Sequence, residues 1–296
     1  MTAEPHDASL GTALETARRA LGEVSDTPGL DAETLLAHVL GAPRSFLRAW
    51  PERRLAPRDA ARFEALWRRR RRGHPVAHLT GHRGFWTLEL SVTPDTLVPR
   101  PETECLVESA LAALPARARV LDLGTGTGAI ALAIASDRPD VHVDAVEFSR
   151  PAFEVAAVNR RLAGTNNVRL LEGSWYGPVD GERYDLIVSN PPYIAAREPE
   201  LARGDVRHET RCALVAGGGG LEAVEIIVAG AAAHLHPGGG LMIEHGWRQG
   251  ERARRLLDAH GFTGVETRHD LAGHERVTLG YLQDWTRTSG ATGGSV

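Results

Sequence analysis

The sequence predicts an α/β protein in which a small helical bundle precedes a mostly parallel sheet with helices on both faces. Two patterns carry this prediction. Over residues 8–72, apolar side chains recur every three or four positions, which is the periodicity of amphipathic helices. From residue 119 onward, short apolar runs alternate with helical periodicity, which is typical of a doubly wound α/β domain.

Several short helices are expected in the first part, residues 1–80. The apolar positions there include Leu30, Leu35, Leu36 and Val39, and then Phe63, Leu66 and Trp67. Proline and glycine at 27–29, 41–43 and 56–57 mark the breaks between helices.

Residues 81–104 predict a hairpin followed by a connector. Aromatic and branched residues between Phe85 and Val92 favour two short strands. Pro99 and Pro101 then stiffen an extended segment.

The alternating part spans residues 105–283. Strands are expected at 119–123, 141–147, 168–172, 184–189, 239–245, 263–269 and 275–281. Helices are expected near 128–137, 149–163, 220–235 and 247–260. The small polar residues at 284–296 predict a disordered tail.

Composition limits the functional classes. With 42% hydrophobic residues in a chain of 296, a sizeable core is expected. No apolar run reaches the ~18 residues of a membrane span, and the first residues lack a secretory pattern. The only cysteines are Cys105 and Cys212, without metal-ligand spacing, so a reduced, cytoplasmic setting is expected. The net charge of −4 argues against a surface that follows nucleic acid throughout, and the absence of lysine excludes Schiff-base chemistry.

A glycine-rich turn follows the first strand of the alternating part. The segment Gly124-Thr125-Gly126-Thr127-Gly128 runs from an apolar strand into a helix, so its backbone can approach a ligand closely. A dinucleotide site or a merely tight turn gives a similar string. The G-x-G-x-G spacing, with Asp122 just before it, favours S-adenosylmethionine, because an acid there can bind the ammonium group of that cofactor.

Glu147 ends the second strand, where an acid can accept hydrogen bonds from the two ribose hydroxyls of a nucleoside. Taken alone, Glu147 could equally be a solvated acid at the end of a strand. The glycine loop beside it favours the cofactor interpretation.

The segment Asn190-Pro191-Pro192-Tyr193 follows another apolar strand and is the most informative motif. An amide or aromatic amine is a poor nucleophile because its lone pair is delocalised. Two acceptors, the Asn190 side-chain oxygen and a proline carbonyl, can hold both of its N–H bonds and stabilise developing positive charge. Tyr193 can stack on the flat acceptor. The alternative is a rigid turn without chemistry.

At these residues the chain resembles the release-factor glutamine methyltransferases. The resemblance covers residues 10–282 and is not confined to 190–193, which nucleic-acid amine methyltransferases share. It also rests on Pro75–Gly81, Phe85-Trp86, Leu97–Glu104, Gly204–Arg207, Glu244–Trp247 and Arg276–Gly280.

The resemblance implies a seven-strand, Rossmann-like class I methyltransferase domain behind a helical domain that docks the substrate. The substrate would be the glutamine of the Gly-Gly-Gln motif in class-1 peptide chain release factors, methylated at its side-chain nitrogen, N5. Carried over by position, cofactor contacts come from Gly124 to Gly128, Glu147, Trp175 and Asn190, and the substrate amide is held by Asn190 to Tyr193. The chain departs from the family at Glu147, where aspartate is usual, and at Ser174 and Thr210.

Other signals favour ordinary structural roles. His74, His78 and His82 have helical metal-site spacing, but Pro75 and Gly81 interrupt a helix there, so no metal site is expected. The basic run 68–72 is interpreted as a solvated helix end, with contact to an acidic partner or RNA as the alternative. Trp175 suits a wall beside adenine but also suits the core.

Three competing functions remain. A glutamine methyltransferase of a ribosomal protein would share the same local chemistry and differ only at the docking surface. A nucleic-acid amine methyltransferase is disfavoured by the negative net charge and the lack of a target-recognition insert. A cofactor-binding regulator without catalysis is disfavoured by the substrate clamp at 190–193. No membrane and no stable nucleic-acid partner are expected.

Overall fold

The computed structural model describes residues 9–202, 204–217 and 219–283. The chain forms two compact units. Of the described residues, one unit contains those from Ser9 to His82 together with those of the segment Ala202–His208, and the other contains Arg83–Leu201 and those from Glu209 to Gln283. The predicted tail at 284–296 lies outside the described residues.

The first unit is helical. Its helices are α1 (Leu10–Leu21), α2 (Pro28–Leu40), α3 (Arg44–Ala49), α4 (Pro57–Arg71) and α5 (Val76–Thr80). Pro28 and Pro57 each open a helix, because the fixed φ of proline suits the first turn, where no N–H donor is needed. The sequence breaks predicted at these prolines are therefore helix starts. The apolar faces of α1, α2 and α4 meet in one core around Leu21, Leu35 and Phe63.

The basic run at the end of α4 is not uniformly solvated, which corrects the sequence interpretation for one residue. Arg70 is buried, and its Nε lies 2.6 Å from a carboxylate oxygen of Asp31. A second nitrogen of Arg70 pairs with Asp205 of the Ala202–His208 segment. The other four arginines of the run are exposed.

The second unit begins with a hairpin, β1 (His82–Phe85) and β2 (Leu88–Ser91), then a 3-10 turn at Pro101–Thr103 and α6 (Glu104–Ala113). The alternating part follows. Its elements are β3 (Arg119–Leu123), α7 (Ala129–Asp137), β4 (His142–Glu147), α8 (Arg150–Ala163), β5 (Val168–Glu172), β6 (Tyr184–Ser189), β7 (Ile194–Ala195), α9 (Arg211–Leu214), β8 (Val215–Ala216), α10 (Glu222–His234), β9 (Leu235–Glu244), α11 (Gly250–Ala259), β10 (Phe262–His269) and β11 (Glu275–Leu282).

Seven of the described strands form the central sheet, in the order β10-β11-β9-β6-β3-β4-β5. Strands β9, β6, β3, β4 and β5 are parallel, whereas β11 is antiparallel to both of its neighbours. The chain moves outward from β3 through β4 to β5 and then crosses back to β6 on the other side of β3. Such a reversal opens a crevice at the carboxyl ends of β3 and β6, where α/β domains bind ligands.

The predicted α/β fold behind a helical bundle is confirmed, and the seven sheet strands agree closely with the predicted ranges. The largest difference is β9, which begins at Leu235 and not at 239. The register with β6 jumps between Tyr184↔Leu235 and Leu186↔Gly240, so residues 236–239 form an irregularity. Proline and two glycines at these positions are typical of a turn, so the sequence pattern placed the start of the strand after them.

Apolar side chains fill both faces of the sheet. On one face α6 packs against β6, β9, β10 and β11, and α7 packs against β4 and β5. Seven consecutive residues of α7, Ala129–Ala135, are buried there. On the other face α10 packs against β9, and α11 packs against β10 and β11. Among the described residues, no helix combines the length and apolar character needed to cross a membrane.

Candidate active site

One cavity lies at the carboxyl ends of β3, β4 and β6, where the reversal of strand order places it. Of the predicted site residues, Gly124, Thr125, Gly126, Thr127, Glu147, Trp175, Asn190 and Pro192 line it. Gly128, Pro191 and Tyr193 do not line it. The structure therefore brings most of the predicted cofactor residues and two residues of the 190–193 motif to one cavity.

The glycine loop is shaped by positive φ angles. Gly124 and Gly126 have φ of 74° and 58°, a left-handed conformation that side chains disfavour. The backbone N–H groups of Gly124 and Thr125 both donate to the carbonyl of Val146, which fastens the loop to β4. Gly128 caps the start of α7 at φ 85°, and a Cβ there would meet Leu132 at 3.0 Å, so close packing also favours glycine at this position.

Asp122 lies under this loop and is fully buried. One carboxylate oxygen accepts a hydrogen bond from the Thr125 hydroxyl at 2.6 Å. The other oxygen, Oδ1, has no hydrogen-bond partner among the described residues. Burial, opposed in part by Thr125, raises the pKa of Asp122 to about 7. A buried carboxylate oxygen without a donor is costly, and an ammonium group of a ligand would satisfy it.

Glu147 forms the wall of the cavity at the end of β4. Its two oxygens accept hydrogen bonds from the backbone N–H groups of Gly126 and Ser149, each at 2.8 Å. These bonds hold the carboxylate in one orientation beside the glycine loop. Each oxygen keeps a second lone pair, so the carboxylate can still accept from hydroxyl groups of a ligand.

Two aromatic side chains border the same cavity. Trp175 has φ 46°, packs partly against the core, and places its ring 3.9 Å from where a Cβ on Gly124 would lie. The Trp175 ring thus both lines the cavity and packs on the core, and its contact with adenine remains a prediction. Phe148 lines the cavity with 77% of its surface exposed, which is unusual for such a large apolar side chain.

The motif at 190–193 continues directly from β6. Ser189 is buried, and its hydroxyl donates to the carbonyl of Leu123 at 2.6 Å, which fixes the end of β6 against β3. The side-chain nitrogen of Asn190, Nδ2, donates to the hydroxyl oxygen of Thr103 at 3.2 Å. This bond occupies Nδ2 and leaves the oxygen, Oδ1, available to a ligand in the cavity.

The rest of the motif is held from behind. Gln249 donates from its side-chain nitrogen to the carbonyl of Tyr193 at 2.9 Å and accepts from the N–H of Gly246 with its oxygen. The Tyr193 hydroxyl faces the buried carboxyl of Glu244, and burial together with that charge raises the pKa of Tyr193. Tyr193 thus packs behind the cavity, and its predicted stacking on a substrate remains a prediction.

The connector that carries Thr103 is anchored by a buried carboxylate. Glu209 accepts a hydrogen bond from the N–H of Val98 at 3.0 Å and pairs with Arg100. Glu104, one residue beyond Thr103, accepts from the N–H of Trp86 at 3.0 Å. The connector is therefore fixed on both sides of Thr103.

Sequence reasoning did not single out several residues at or beside this site, among them Phe148, Thr103 and Glu244. Phe148 follows directly on Glu147, and the other two lie in motifs that carry the family resemblance. A signal was thus available for each, but no spacing rule assigns a role to a threonine in a connector. No group of three or more histidine, cysteine or carboxylate side chains within the described residues is placed to hold a metal ion.

Two family models match the chain. Residues 12–81 match the PrmC N-terminal domain, and residues 102–219 match the methyltransferase small domain. The chain is also similar to a solved methyltransferase structure from Pyrococcus furiosus, with a TM-score of 0.51 at 21% identity. That likeness covers 66% of this chain and 89% of the other, and it concerns the fold.

Curated relatives match over most of their length. A protein of Pseudomonas aeruginosa is 53% identical over 87% of this chain and 95% of its own, and one of Salmonella typhimurium is 49% identical over 86% and 93%. A protein of Escherichia coli is 47% identical over 87% and 94%. All three are named release factor glutamine methyltransferase.

Proposed function

Because the chain belongs to the release factor glutamine methyltransferases, at 53% identity to one member over most of its length, we propose that it methylates the glutamine of the Gly-Gly-Gln motif in class-1 release factors. The methyl group comes from S-adenosylmethionine and goes to the side-chain nitrogen, N5. The observation that carries this proposal is the Asn190 side chain, whose nitrogen is bonded to Thr103 so that its oxygen is available beside the glycine loop.

The residues around the cavity fit S-adenosylmethionine. The unpartnered Oδ1 of Asp122 suits the ammonium group of the cofactor, and the open glycine loop admits its methionine part. Glu147 accepts the ribose hydroxyls, and Trp175 and Phe148 offer flat apolar surfaces to adenine. When bound, the cofactor supplies a methyl group whose bond to sulfur breaks with the electron pair returning to sulfur, while the amide nitrogen forms the new bond and gives a proton to water.

The chain's own residues make the amide reactive. The Asn190 oxygen and a carbonyl of the following prolines accept hydrogen bonds from the two N–H groups of the substrate amide. This aims the lone pair of the amide nitrogen at the methyl group. Positive charge grows on that nitrogen during transfer, and two fixed carbonyl dipoles stabilise it without reorganising. Ser189, Thr103 and Gln249 hold this clamp in place before the substrate arrives.

The helical unit docks the release factor in this proposal. Support comes from its separate core and from its match to the PrmC N-terminal domain, neither of which the methyl transfer itself requires. Docking energy positions the glutamine, and positioning can contribute several kcal/mol to the reaction.

The test is a labelling assay. The full chain and methyl-labelled S-adenosylmethionine are incubated in separate reactions with purified release factors, with ribosomal proteins and with DNA. We expect label in the release factor alone. Label in a ribosomal protein would instead support a different glutamine substrate, and label in DNA would support an amine methyltransferase of nucleic acid.

A further inference from the structure

A second buried carboxyl lies beside the candidate site, at the end of β9. Glu244 is 1% exposed, and both of its carboxylate oxygens lack a hydrogen-bond partner of good geometry among the described residues. A buried carboxylate loses its hydration, so an acid is costly there unless nearby groups stabilise its charge. Perturbed acids of this kind cluster at functional sites.

Sheet register places Glu244 next to the clamp. Strands β6 and β9 are parallel with Ser189 opposite Ile243, so Asn190, which follows β6, and Glu244, the last residue of β9, lie at the same edge of the sheet. The Thr103 hydroxyl accepts the hydrogen bond of Asn190 Nδ2 and also faces the Glu244 carboxyl. Asn190, Thr103 and Glu244 thus form one chain of polar groups.

The direction of the hydrogen bonds that link these three groups depends on Glu244. A hydroxyl carries a single proton, so while Thr103 donates to Glu244 it can only accept from Asn190 and cannot donate to it. An ionised Glu244 only accepts, and it takes that proton. The two amide atoms of Asn190 are nearly equal in size, so hydrogen bonding, not packing, decides which of them faces the cavity. A protonated Glu244 can donate to Thr103, which then donates to the Asn190 oxygen and turns the amide nitrogen toward the substrate.

We propose that Glu244 is a positioning residue: acting through Thr103, its ionised carboxylate holds the Asn190 amide with the oxygen toward the substrate nitrogen. This inference rests on the proposed function. It assigns a role to Thr103 and Glu244, which lie in two of the motifs that carry the family resemblance.

The surroundings of Glu244 set where it titrates. Burial raises its pKa to about 7, although the Thr103 hydroxyl, the Arg276 guanidinium and the Tyr193 hydroxyl each lower it. Arg276 does not neutralise Glu244, because its guanidinium is bonded to Asp270 at 3.0 Å. The titratable groups whose charges act on or respond to Glu244 are Glu102, Cys105, Tyr193 and Arg276.

The inference predicts a pH dependence of turnover. Glu244 is ionised above pH ~7 and orients Asn190 correctly, and below that pH the protonated fraction grows and the clamp is lost. Turnover at saturating S-adenosylmethionine should fall about tenfold per pH unit well below 7. Saturation matters because Asp122 also titrates near pH 7 and would otherwise add an effect on cofactor binding.

The experiment compares full-length variants on an intact release factor from pH 5.5 to 8.5. Glu244→Gln keeps the shape of the side chain, but its amide can either accept from Thr103 or donate to it, so it no longer fixes the orientation of Asn190. We therefore expect turnover at pH 8 to fall about 10- to 100-fold, which approaches the effect of losing one preorganised contact. The remaining activity should no longer show the decrease in turnover below pH ~7, called the acid limb of the pH profile. Affinity for S-adenosylmethionine should stay within about twofold of the wild type.

A threonine pair keeps the inference testable if Glu244→Gln folds poorly. Thr103→Val removes the relay and should reproduce the loss, whereas Thr103→Ser keeps the hydroxyl and should restore turnover and its acid limb. The matched control is Glu102→Gln, which removes an exposed neighbouring charge that also raises the Glu244 pKa. It should move the acid limb to lower pH and leave turnover at pH 8 unchanged.

The outcomes separate this inference from the proposed function. A wild-type chain that does not methylate the release factor at any pH overturns the proposed function. Wild-type methylation together with an unchanged rate and pH profile in Glu244→Gln, or in Thr103→Val, overturns the role of Glu244 alone.

Discussion

Replacing Asp122 with asparagine should stabilise the free protein and weaken cofactor binding. Asp122 is fully buried, and its pKa lies near 7 in place of its ordinary 3.8. Because the folded state holds this proton more tightly than the unfolded state, the penalty is absent below pH ~4, grows between pH ~4 and ~7, and is complete above. At about 1.4 kcal/mol per pH unit, ionised Asp122 costs about 4 kcal/mol at pH 8.

The net gain from Asp122→Asn is smaller than that figure. Asparagine still accepts from the Thr125 hydroxyl with its oxygen, but its nitrogen takes the position of the unpartnered oxygen Oδ1 and brings N–H groups into a fully buried place. An unsatisfied amide costs about 1–3 kcal/mol, so a net stabilisation of about 1–3 kcal/mol remains at pH 8. Affinity for S-adenosylmethionine should fall by about 1–3 kcal/mol, since its ammonium loses a charged partner.

Asp144 provides the matched control, because it is equally buried on the neighbouring strand β4 but fully paired. It accepts hydrogen bonds from Arg169 at 2.6 Å and from Tyr184 at 2.8 Å, and its pKa is lowered by these partners against the effect of burial. Asp144→Asn should therefore destabilise the protein by about 3 kcal/mol and leave cofactor affinity unchanged. Its stabilising effect is present at neutral pH and disappears as the pH falls below ~4.

Thermal melts at pH 5 and 8 and calorimetric titration with S-adenosylmethionine measure both effects. We expect Asp122→Asn to raise the melting temperature by a few degrees at pH 8, less at pH 5, and to weaken binding. A variant that melts lower at pH 8 and binds the cofactor normally would refute the assignment of Asp122 to the ammonium group.

Three further predictions concern the clamp, the ribose acid and the helical unit. Asn190→Ala should lower turnover by about 10²–10³ with little change in cofactor affinity, and equal losses of both in kinetics and calorimetry would make Asn190 a cofactor residue. Glu147→Ala should weaken cofactor binding by about 1–3 kcal/mol, whereas Glu147→Asp should largely preserve it, and unchanged calorimetric affinity in the alanine variant would contradict the assignment. Arg70→Met should lower the free energy of unfolding by about 3 kcal/mol in urea titrations, because two carboxylates lose their buried partner, while exposed Arg69→Met should change it by less than about 0.5 kcal/mol.

The strands and helices were predictable because each carries its own periodicity. The apolar runs at 119–123 and 184–189 end at the same residues in sequence and structure. Parallel strands place their carboxyl ends at one edge of the sheet, so the glycine loop, Glu147 and Asn190 could be expected to meet at one cavity. Local pattern and general topology were sufficient for that much.

The remaining features depend on contacts between distant parts of the chain. Arg70 looks like any member of a basic run, and only the partners Asp31 and Asp205 distinguish it from the exposed arginines beside it. Glu244 resembles an ordinary acid at the end of a strand. Its burial and its alignment with Asn190 follow from the pairing of β9 with β6, which no local pattern encodes.

The central claim is methyl transfer to one amide nitrogen, and mass spectrometry of the substrate tests it most directly. An intact class-1 release factor is incubated with the full chain and methyl-labelled S-adenosylmethionine, digested, and fragmented residue by residue. The account predicts a single labelled methyl group on the side-chain nitrogen of the glutamine in Gly-Gly-Gln, strongly reduced with the Asn190→Ala variant. An unmodified glutamine, or label on another residue, from a protein that binds S-adenosylmethionine normally would contradict it.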